Sequence, residues 1–109
     1  IKAVGGIKKA VEAVREHIPH TVKIEVEAET LKQVKEALES GADIIMLDNM
    51  PPDIMEQAVK MINHRAITEA SGNVTLDNIQ KIAATGVDII SIGALTHSVK
   101  AMDISMKFE

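Results

Sequence analysis

Apolar positions along the chain follow two alternating spacings. Four stretches carry apolar residues three or four positions apart, which is typical of a helix with one buried face. Short apolar runs that are typical of strands lie at 22–26, 43–47, 66–70 and 88–92. Strands that are separated by helices pair in parallel through right-handed crossovers. The pattern predicts an α/β fold of parallel β/α units, with about four strands and four helices.

Capping residues mark the ends of the second and third helices. The Thr30 hydroxyl can accept a hydrogen bond from the first turn while Gln33 reaches back, in the arrangement called a capping box. Gly41 suits the left-handed stop of that helix. Pro51 and Pro52 suit the first turn of the next helix, where a missing amide is tolerated. The 43–47 run is almost continuously apolar, which predicts a strand covered on both faces.

The fourth helix is expected to begin after Thr75 and to end at Gly86. The chain from residue 96 onward is less periodic, so no element is predicted there. The residues expected to face inward from the fourth helix are Leu76, Ile79, Ile82 and Ala83.

Length and composition narrow the class of protein. The chain has 109 residues, whereas a complete β/α barrel has about 250. With one aromatic residue, the core must consist of Ile, Val, Leu, Ala and Met. The net charge of -4 comes without a basic stripe, no cysteine is present, and no apolar run has the length of a membrane span. We therefore expect a cytoplasmic protein with no nucleic-acid or membrane partner. Because no initiator Met precedes the first helix, we expect a piece of a longer chain.

An internal repeat aligns the strand ends. The segment containing Thr30, Gly41 and Asp43 recurs 45 residues later, so the chain reads as two β-α-β-α blocks. The same offset aligns Asp48 with Gly93 and, one strand earlier, Glu27 with Gly72. In a β/α barrel, the carboxyl ends of the strands form the active-site mouth. The four successive strands are therefore expected to end in Glu27, Asp48, Gly72 and Gly93.

These four residues suggest a sugar-phosphate pocket. Two carboxylates on neighbouring strands can accept from vicinal sugar hydroxyls or hold Mg²⁺, a cation that prefers oxygen ligands. Two glycines let backbone amides approach an anion, and a short helix after Gly93 would add a favourable dipole. Acids on one side and amides on the other are what a ribose 5-phosphate needs.

Each of these residues also has a simpler interpretation. Glu27 could belong to a solvated acidic run with Glu25 and Glu29, and Asp48 could cap the following helix. Gly72 and Gly93 could be ordinary turn glycines. The shared position of all four at strand ends favours the pocket.

Other polar residues give weaker signals. His97 would lie one turn into the short helix, where a surface position and a phosphate contact are both open. Glu69 could face the barrel interior, and its role is open. His17, His20 and His64 lack metal-ligand spacing. No nucleophile is paired with a base, so covalent catalysis is not suggested.

Five segments in order along the whole chain form a recognisable set of motifs: 23–27 (KIEVE), 41–50 (GADIIMLDNM), 69–72 (EASG), 91–98 (SIGALTHS) and 102–105 (MDIS). Together they resemble the motifs of quinolinate phosphoribosyltransferase, also called carboxylating nicotinate-nucleotide pyrophosphorylase. The resemblance implies that residues 1–109 are the C-terminal portion of a β/α-barrel catalytic domain, in a homodimer or higher oligomer.

The resemblance also implies the reaction and the roles of residues. Quinolinate and phosphoribosyl pyrophosphate would give nicotinate mononucleotide, pyrophosphate and CO₂ in NAD biosynthesis, with Mg²⁺. Glu27 and Asp48 match acids that contact the ribose hydroxyls and help to place the metal and pyrophosphate. The positions that match the 5-phosphate site, with His97 nearby, are Ser71, Gly72, Gly93 and Ala94.

The cations that would grip quinolinate are scarce in this chain. Its two arginines, Arg15 and Arg65, lie away from the predicted strand ends. In the family such residues come from upstream segments and from a partner subunit. We therefore expect the chain to hold the ribose-phosphate half of the site. A non-catalytic half-barrel module and a barrel with another acceptor base are the alternatives.

Overall fold

A computed structural model of the chain describes residues 6–19, 21–92 and 103–107, and the side chains of 9–19 and 21–92. Helices and strands alternate through most of this range. In chain order the elements are α1 (Gly6–Arg15), β1 (Lys23–Ala28), α2 (Leu31–Glu39), β2 (Ile44–Asp48), α3 (Pro52–Ile62), β3 (Ile67–Ser71), α4 (Ile79–Ala84), β4 (Ile89–Ile90) and β5 (Asp103–Lys107).

The strands form one parallel sheet in the order β4-β3-β2-β1-β5. The first four strands lie in sequence order, which confirms the predicted α/β architecture of parallel units. Strand β5 pairs with the outer edge of β1, with Lys107 opposite Glu27. This fifth strand falls in the tail where the apolar pattern predicted no element. The sequence of β5, DISMK, alternates polar and apolar residues with the period of a strand, a short signal that the prediction missed.

The helices cover one face of the sheet. Sequential right-handed crossovers place every helix on the same side, and strand residues that point there share one core with helix residues such as Val34 and Met55. Alternate residues of β1, β2 and β3 on the opposite face are half-buried or exposed. The expectation that β2 is covered on both faces is therefore wrong for the described structure. The buried strand residues are Ile24, Val26, Ala28, Ile45, Leu47, Thr68 and Ala70.

The predicted caps of α2 and α3 are confirmed. The Thr30 hydroxyl accepts from the Gln33 amide at 3.2 Å, and the Gln33 side chain accepts from the Glu29 amide at 2.7 Å. The return bond thus reaches one residue further back than in the usual capping box. Gly41 has a φ of +84° after α2, and Pro52 is the first residue of α3.

Helix α4 starts later than the sequence predicts. Its N-cap is Asn78, whose side chain accepts from the Thr75 amide at 2.8 Å and closes a turn ahead of the helix. Leu76 therefore lies in that turn and is 87% exposed, and Ala83 is exposed as well. The expected inward positions of both are wrong. The predicted residues that do pack on the core are Ile79 and Ile82.

Two aspartates join neighbouring strands at the amino end of the sheet, and we call each of these contacts an aspartate clamp. The Asp43 carboxylate accepts from the Ile24 amide at 2.8 Å and from Arg15 at 2.6 Å. The Asp88 carboxylate accepts from the Thr68 amide at 2.9 Å and from its hydroxyl at 3.1 Å. Each aspartate precedes an even-numbered strand and holds the start of the odd-numbered strand beside it. The repeated Gly-x-Asp sequence thus fixes the strand register.

The register also revises the repeat alignment. Ile44 and Ile89 are 45 residues apart, but the residues paired with them, Glu25 and Glu69, are 44 apart. Odd-numbered strands therefore repeat with an offset one residue shorter than even-numbered strands.

Glu27 consequently occupies the position equivalent to Ser71. The alignment of Glu27 with Gly72 is wrong by one residue. Two residues separate Glu27 from Thr30, whereas three residues separate Ser71 from the equivalent Thr75. The strands end at Ala28, Asp48 and Ser71.

Among the residues that the structure describes, no helix combines the length and the apolar character needed to cross a lipid bilayer.

Replacing Asp43 with Asn tests the clamp. The substitution removes the charge that binds Arg15 and the Ile24 amide, and charge-assisted hydrogen bonds contribute more than neutral ones. We expect the free energy of unfolding at pH 7 to fall by about 1–3 kcal/mol, measured by urea denaturation. The exposed Asp77→Asn should change it by less than about 0.5 kcal/mol.

The clamp should also weaken in acid. Burial alone would raise the pKa of Asp43, but the Ile24 amide and the Arg15 guanidinium together hold it below its usual value. A lowered pKa in the folded state means that the stabilisation is complete above the unfolded value, about 3.9, and is lost as pH falls through the folded value. The stability difference between wild type and Asp43→Asn should stay constant from about pH 7 to 5 and shrink below about pH 4. A difference independent of pH would contradict the clamp.

Candidate active site

Acidic side chains gather on the open face of the sheet. Glu27 on β1 and Glu69 on β3 lie on either side of Met46 of β2, in register with it. Asp48 lies two residues further along β2, opposite Ser71. From strand spacing and rise, the Cα atoms of Glu27 and Asp48 are roughly 8 Å apart. Two predicted site acids thus occupy neighbouring strands, with Asp48 nearer to the carboxyl end.

Glu27 does not belong to a uniformly solvated run. Glu25 and Glu27 are half-buried on the open face of β1, whereas Glu29 lies past the strand end and is exposed. The interpretation as a solvated acidic run therefore fits Glu29 alone among the three.

Asp48 is not a helix cap. The N-cap of α3 is Pro51, and no side chain caps that helix end. Asp48 is instead the last residue of β2 and is half-buried on the open face. The alternative interpretation of Asp48 is thus wrong.

Gly72 is required for two reasons. Its φ of +78° favours glycine, and a Cβ at this position would lie 2.8 Å from the Asp48 Oδ1 and 3.0 Å from the Asn49 amide nitrogen. Gly72 is therefore a turn glycine and also the point where the loop after β3 touches the end of β2. Ser71 and Gly72 lie directly beside Asp48.

Two asparagines that the sequence interpretation missed join these loops. The backbone amide of Asn49 donates to the Ser71 carbonyl at 2.8 Å, and the Asn73 side chain donates to the Asn49 side-chain oxygen. Both residues have left-handed backbones, with φ of 58° and 53°. Asn follows a strand end in each case, and Asn tolerates this conformation better than most residues. That pattern was the available signal.

Glu69, whose role the sequence left open, faces the open side of the sheet. Its carboxylate accepts from the Ser91 hydroxyl, just beyond β4. The pair extends the polar surface of the open face from β3 to β4. The sequence interpretation had assigned no role to Ser91.

The predicted phosphate side is described in part. Ser71 and Gly72 belong to the described residues, whereas Gly93, Ala94 and His97 lie outside them.

A magnesium ion would find two carboxylates here. The described residues contain no group of three or more His, Cys, Asp or Glu side chains that could hold a metal ion. Glu27 and Asp48 fit the hard-oxygen preference of Mg²⁺, which usually takes one or two carboxylates and completes its coordination with water and phosphate oxygens.

At the opposite end of the sheet, several polar side chains bind the backbone of the protein. A cavity of about 510 Å³ lies there, between the amino ends of the strands. Among its polar residues, Asp43 and Asp88 are engaged in the clamps, and Arg65 donates to the Met61 and Ile62 carbonyls at the end of α3. Further lining residues include Lys23, His64 and Ile67.

Alanine at Gly72 should disturb this site more than alanine at a matched glycine. Gly41 has a similar φ of +84° with nothing within 4 Å of an added Cβ. Both variants carry the conformational penalty, about 1–2 kcal/mol, but Gly72→Ala also meets Asp48. We expect its free energy of unfolding to be lower than that of Gly41→Ala by about 1–3 kcal/mol.

Combining Gly72→Ala with Asp48→Ala should recover part of that difference, because the contact with Oδ1 is gone. Equal losses in the two glycine variants, or no recovery, would contradict the proposed contact. Urea denaturation measures each free energy.

Comparison with known proteins identifies the family. A model of the family described as "Quinolinate phosphoribosyl transferase, C-terminal domain" matches residues 1–107. A probable carboxylating nicotinate-nucleotide pyrophosphorylase of Methanocaldococcus jannaschii is 48% identical over 111 residues, which cover 95% of this chain and 39% of that protein. The chloroplastic carboxylating enzyme of Arabidopsis thaliana is 47% identical, covering 100% of this chain and 36% of that protein.

A solved structure agrees with these matches. The nicotinate-nucleotide pyrophosphorylase of Francisella tularensis superposes with a TM-score of 0.77 at 39% identity, over 92% of this chain and 36% of that chain. The chain thus spans less than two fifths of the length of each of these three relatives. The resemblance drawn from the motifs is confirmed, and the chain belongs to the family of quinolinate phosphoribosyl transferase C-terminal domains.

Proposed function

We propose that the chain holds the ribose 5-phosphate half of the active site of a quinolinate phosphoribosyltransferase. The full reaction converts quinolinate and phosphoribosyl pyrophosphate to nicotinate mononucleotide, pyrophosphate and CO₂. The observation that carries the proposal is the contact of the Ser71–Gly72 loop with Asp48, beside Glu27 on the same open face. The names of the relatives support the choice of reaction.

Glu27 and Asp48 would act on the sugar. Each carboxylate can accept hydrogen bonds from vicinal ribose hydroxyls, which fixes the ring in one orientation. As pyrophosphate leaves, positive charge develops at the anomeric carbon, and fixed carboxylates nearby stabilise it electrostatically. Holding both charges in a preformed arrangement avoids reorganisation during the reaction.

Ser71 and Gly72 would hold the 5-phosphate. The Ser71 hydroxyl can donate to a phosphate oxygen, and backbone amides of the loop can do the same. The missing Cβ of Gly72 makes room for the Asp48 carboxylate rather than for the anion. By resemblance, Gly93 and Ala94 would complete this cradle, with His97 nearby. Phosphate on this side and hydroxyls on the Glu27 side would define the direction of the bound sugar.

Magnesium would be held between Glu27, Asp48 and the substrate. When bound, it would neutralise charge on the pyrophosphate leaving group. The protein residues would orient the sugar and keep the two carboxylates at the correct spacing.

Quinolinate recognition would come from elsewhere in a longer chain or from a second subunit. Arg15 donates to the Val22 and Gly41 carbonyls and pairs with Asp43, and Arg65 donates to carbonyls at the end of α3. Both arginines thus lie at the amino end of the sheet. We accordingly propose a homodimer or higher oligomer, acting in the cytoplasm.

Removing either carboxylate should weaken sugar binding. Titration calorimetry with ribose 5-phosphate should show about a tenfold loss of affinity or more for Glu27→Gln and for Asp48→Asn, since hydrogen bonds to charged groups contribute about 1.5–3 kcal/mol each. Glu29→Gln is the matched control, because Glu29 lies two residues from Glu27 but is exposed past the strand end. Its affinity should stay within about twofold of wild type.

If the wild-type chain does not bind ribose 5-phosphate, the proposal is wrong. Binding of inorganic phosphate without any preference for the sugar phosphate would favour a phosphate-binding half-barrel module.

Turnover by this chain alone is not expected. Decarboxylation requires cations around the pyridine carboxylates, and both arginines are engaged elsewhere. Incubation with carboxyl-labelled quinolinate, phosphoribosyl pyrophosphate and Mg²⁺ should release no labelled CO₂ above a protein-free blank. Release that Asp48→Asn abolishes would show that the chain supplies its own quinolinate site.

A further inference from the structure

We propose that Asn49 and Asn73 form a positioning pair, which holds the part of the phosphate loop beyond the β2–β3 ladder beside the carboxylate at the end of β2. The inference rests on the proposed function, because it assigns the two sides of the site to the two ends of one ligand.

Two loops meet at the carboxyl end of the sheet. One follows β2 and begins with Asn49, directly after Asp48. The other follows β3 and carries Gly72 and Asn73, directly after Ser71. The backbone amide of Asn49 donates to the Ser71 carbonyl at 2.8 Å, and Gly72 packs against Asp48. The Asn73 side chain also donates to the Asn49 side chain, and this is a contact between two side chains.

The backbone conformation of the pair shows what the side chains add. Asn49 and Asn73 have φ of 58° and 53°, a region that glycine enters without steric cost. Asparagine is tolerated there but less favoured than glycine. What asparagine provides beyond glycine is its amide group, and here the two amides bind each other. Their side-chain hydrogen bond is a link between the two loops that glycine at either position could not make.

The pair is anchored on the α4 side. The Asn78 side chain donates to the Asn73 carbonyl at 2.7 Å and accepts from the Thr75 amide at 2.8 Å. Asn78 is also the N-cap of α4. On the other side, Asn49 continues directly from β2. The link therefore runs from a strand of the sheet to the start of a helix.

A fixed spacing matters for a ligand that bridges both sides. Ribose 5-phosphate would contact the carboxylates through its hydroxyls and the Ser71–Gly72 loop through its phosphate. Inorganic phosphate would contact the loop alone. If the spacing changes, the sugar phosphate loses simultaneous contact at both ends, whereas the free anion loses nothing. The ratio of the two affinities thus reports on positioning, separately from folding.

Glycine substitutions test the pair without backbone strain. Asn73→Gly and Asn49→Gly keep the left-handed turns and remove the amides. We expect each substitution to lower the affinity for ribose 5-phosphate about fivefold to tenfold and to leave the affinity for inorganic phosphate within about twofold. The double variant should lose little more than either single variant, because both substitutions remove the same hydrogen bond. Because both side chains are exposed, the melting temperature should change little.

Asn63→Gly is the matched control. Asn63 has a φ of 48° at the C-cap of α3, at the other end of the sheet. This variant should bind both ligands as wild type does. Affinities are measured by titration calorimetry with ribose 5-phosphate and with inorganic phosphate.

The outcomes separate the inference from the function. Equal losses for both ligands would mean a purely structural role, and unchanged affinities would mean no role; either result overturns the positioning pair while the proposed site stands. A wild-type chain that binds neither ligand overturns the proposed function and this inference with it. Additive losses in the double variant would show that the two asparagines act independently, which also overturns the pair.

Discussion

The parallel register of β1, β2 and β3, with helices packed on one face, is the constraint on which the site depends. Because side chains alternate along a strand, burying Ile24, Val26 and Ile45 against the helices forces the residues between them to the other face. Glu27 and Asp48 therefore share the open face as a consequence of core packing. A slip of one residue in either strand would bury a carboxylate and expose an aliphatic side chain.

That register is fixed at the end of the sheet away from the site. The Asp43 and Asp88 carboxylates hold the amides of the second residues of β1 and β3, so the part of the repeat that is alike in both halves maintains the fold. The strand ends differ between the halves. The first half ends in acids, whereas the second has Ser71 where the first has Glu27. The two halves of the repeat are thus alike at the amino end of the sheet and differ at the end that carries the proposed site.

The sequence predicted most of the framework, because its signals are local. Strand cores, the Thr30 cap and the glycine stops depend on residues a few positions apart, and all of them are found. The errors have causes that apolar periodicity does not report. Leu76 is exposed because a turn closed by the polar side chain of Asn78 delays α4. Glu27 was aligned one residue away because a loop differs in length between the two halves.

The site was predictable as a set of residues but not as a set of contacts. Strand ends and motifs locate Asp48 and Gly72 separately, but the sequence gives no sign that a Cβ on one would reach the carboxylate of the other. This contact has a consequence for the proposed pocket. An atom added at Gly72, on the proposed phosphate side, would displace the Asp48 carboxylate on the proposed sugar side. A substitution that moves the Ser71–Gly72 loop is therefore expected to move the Asp48 carboxylate as well.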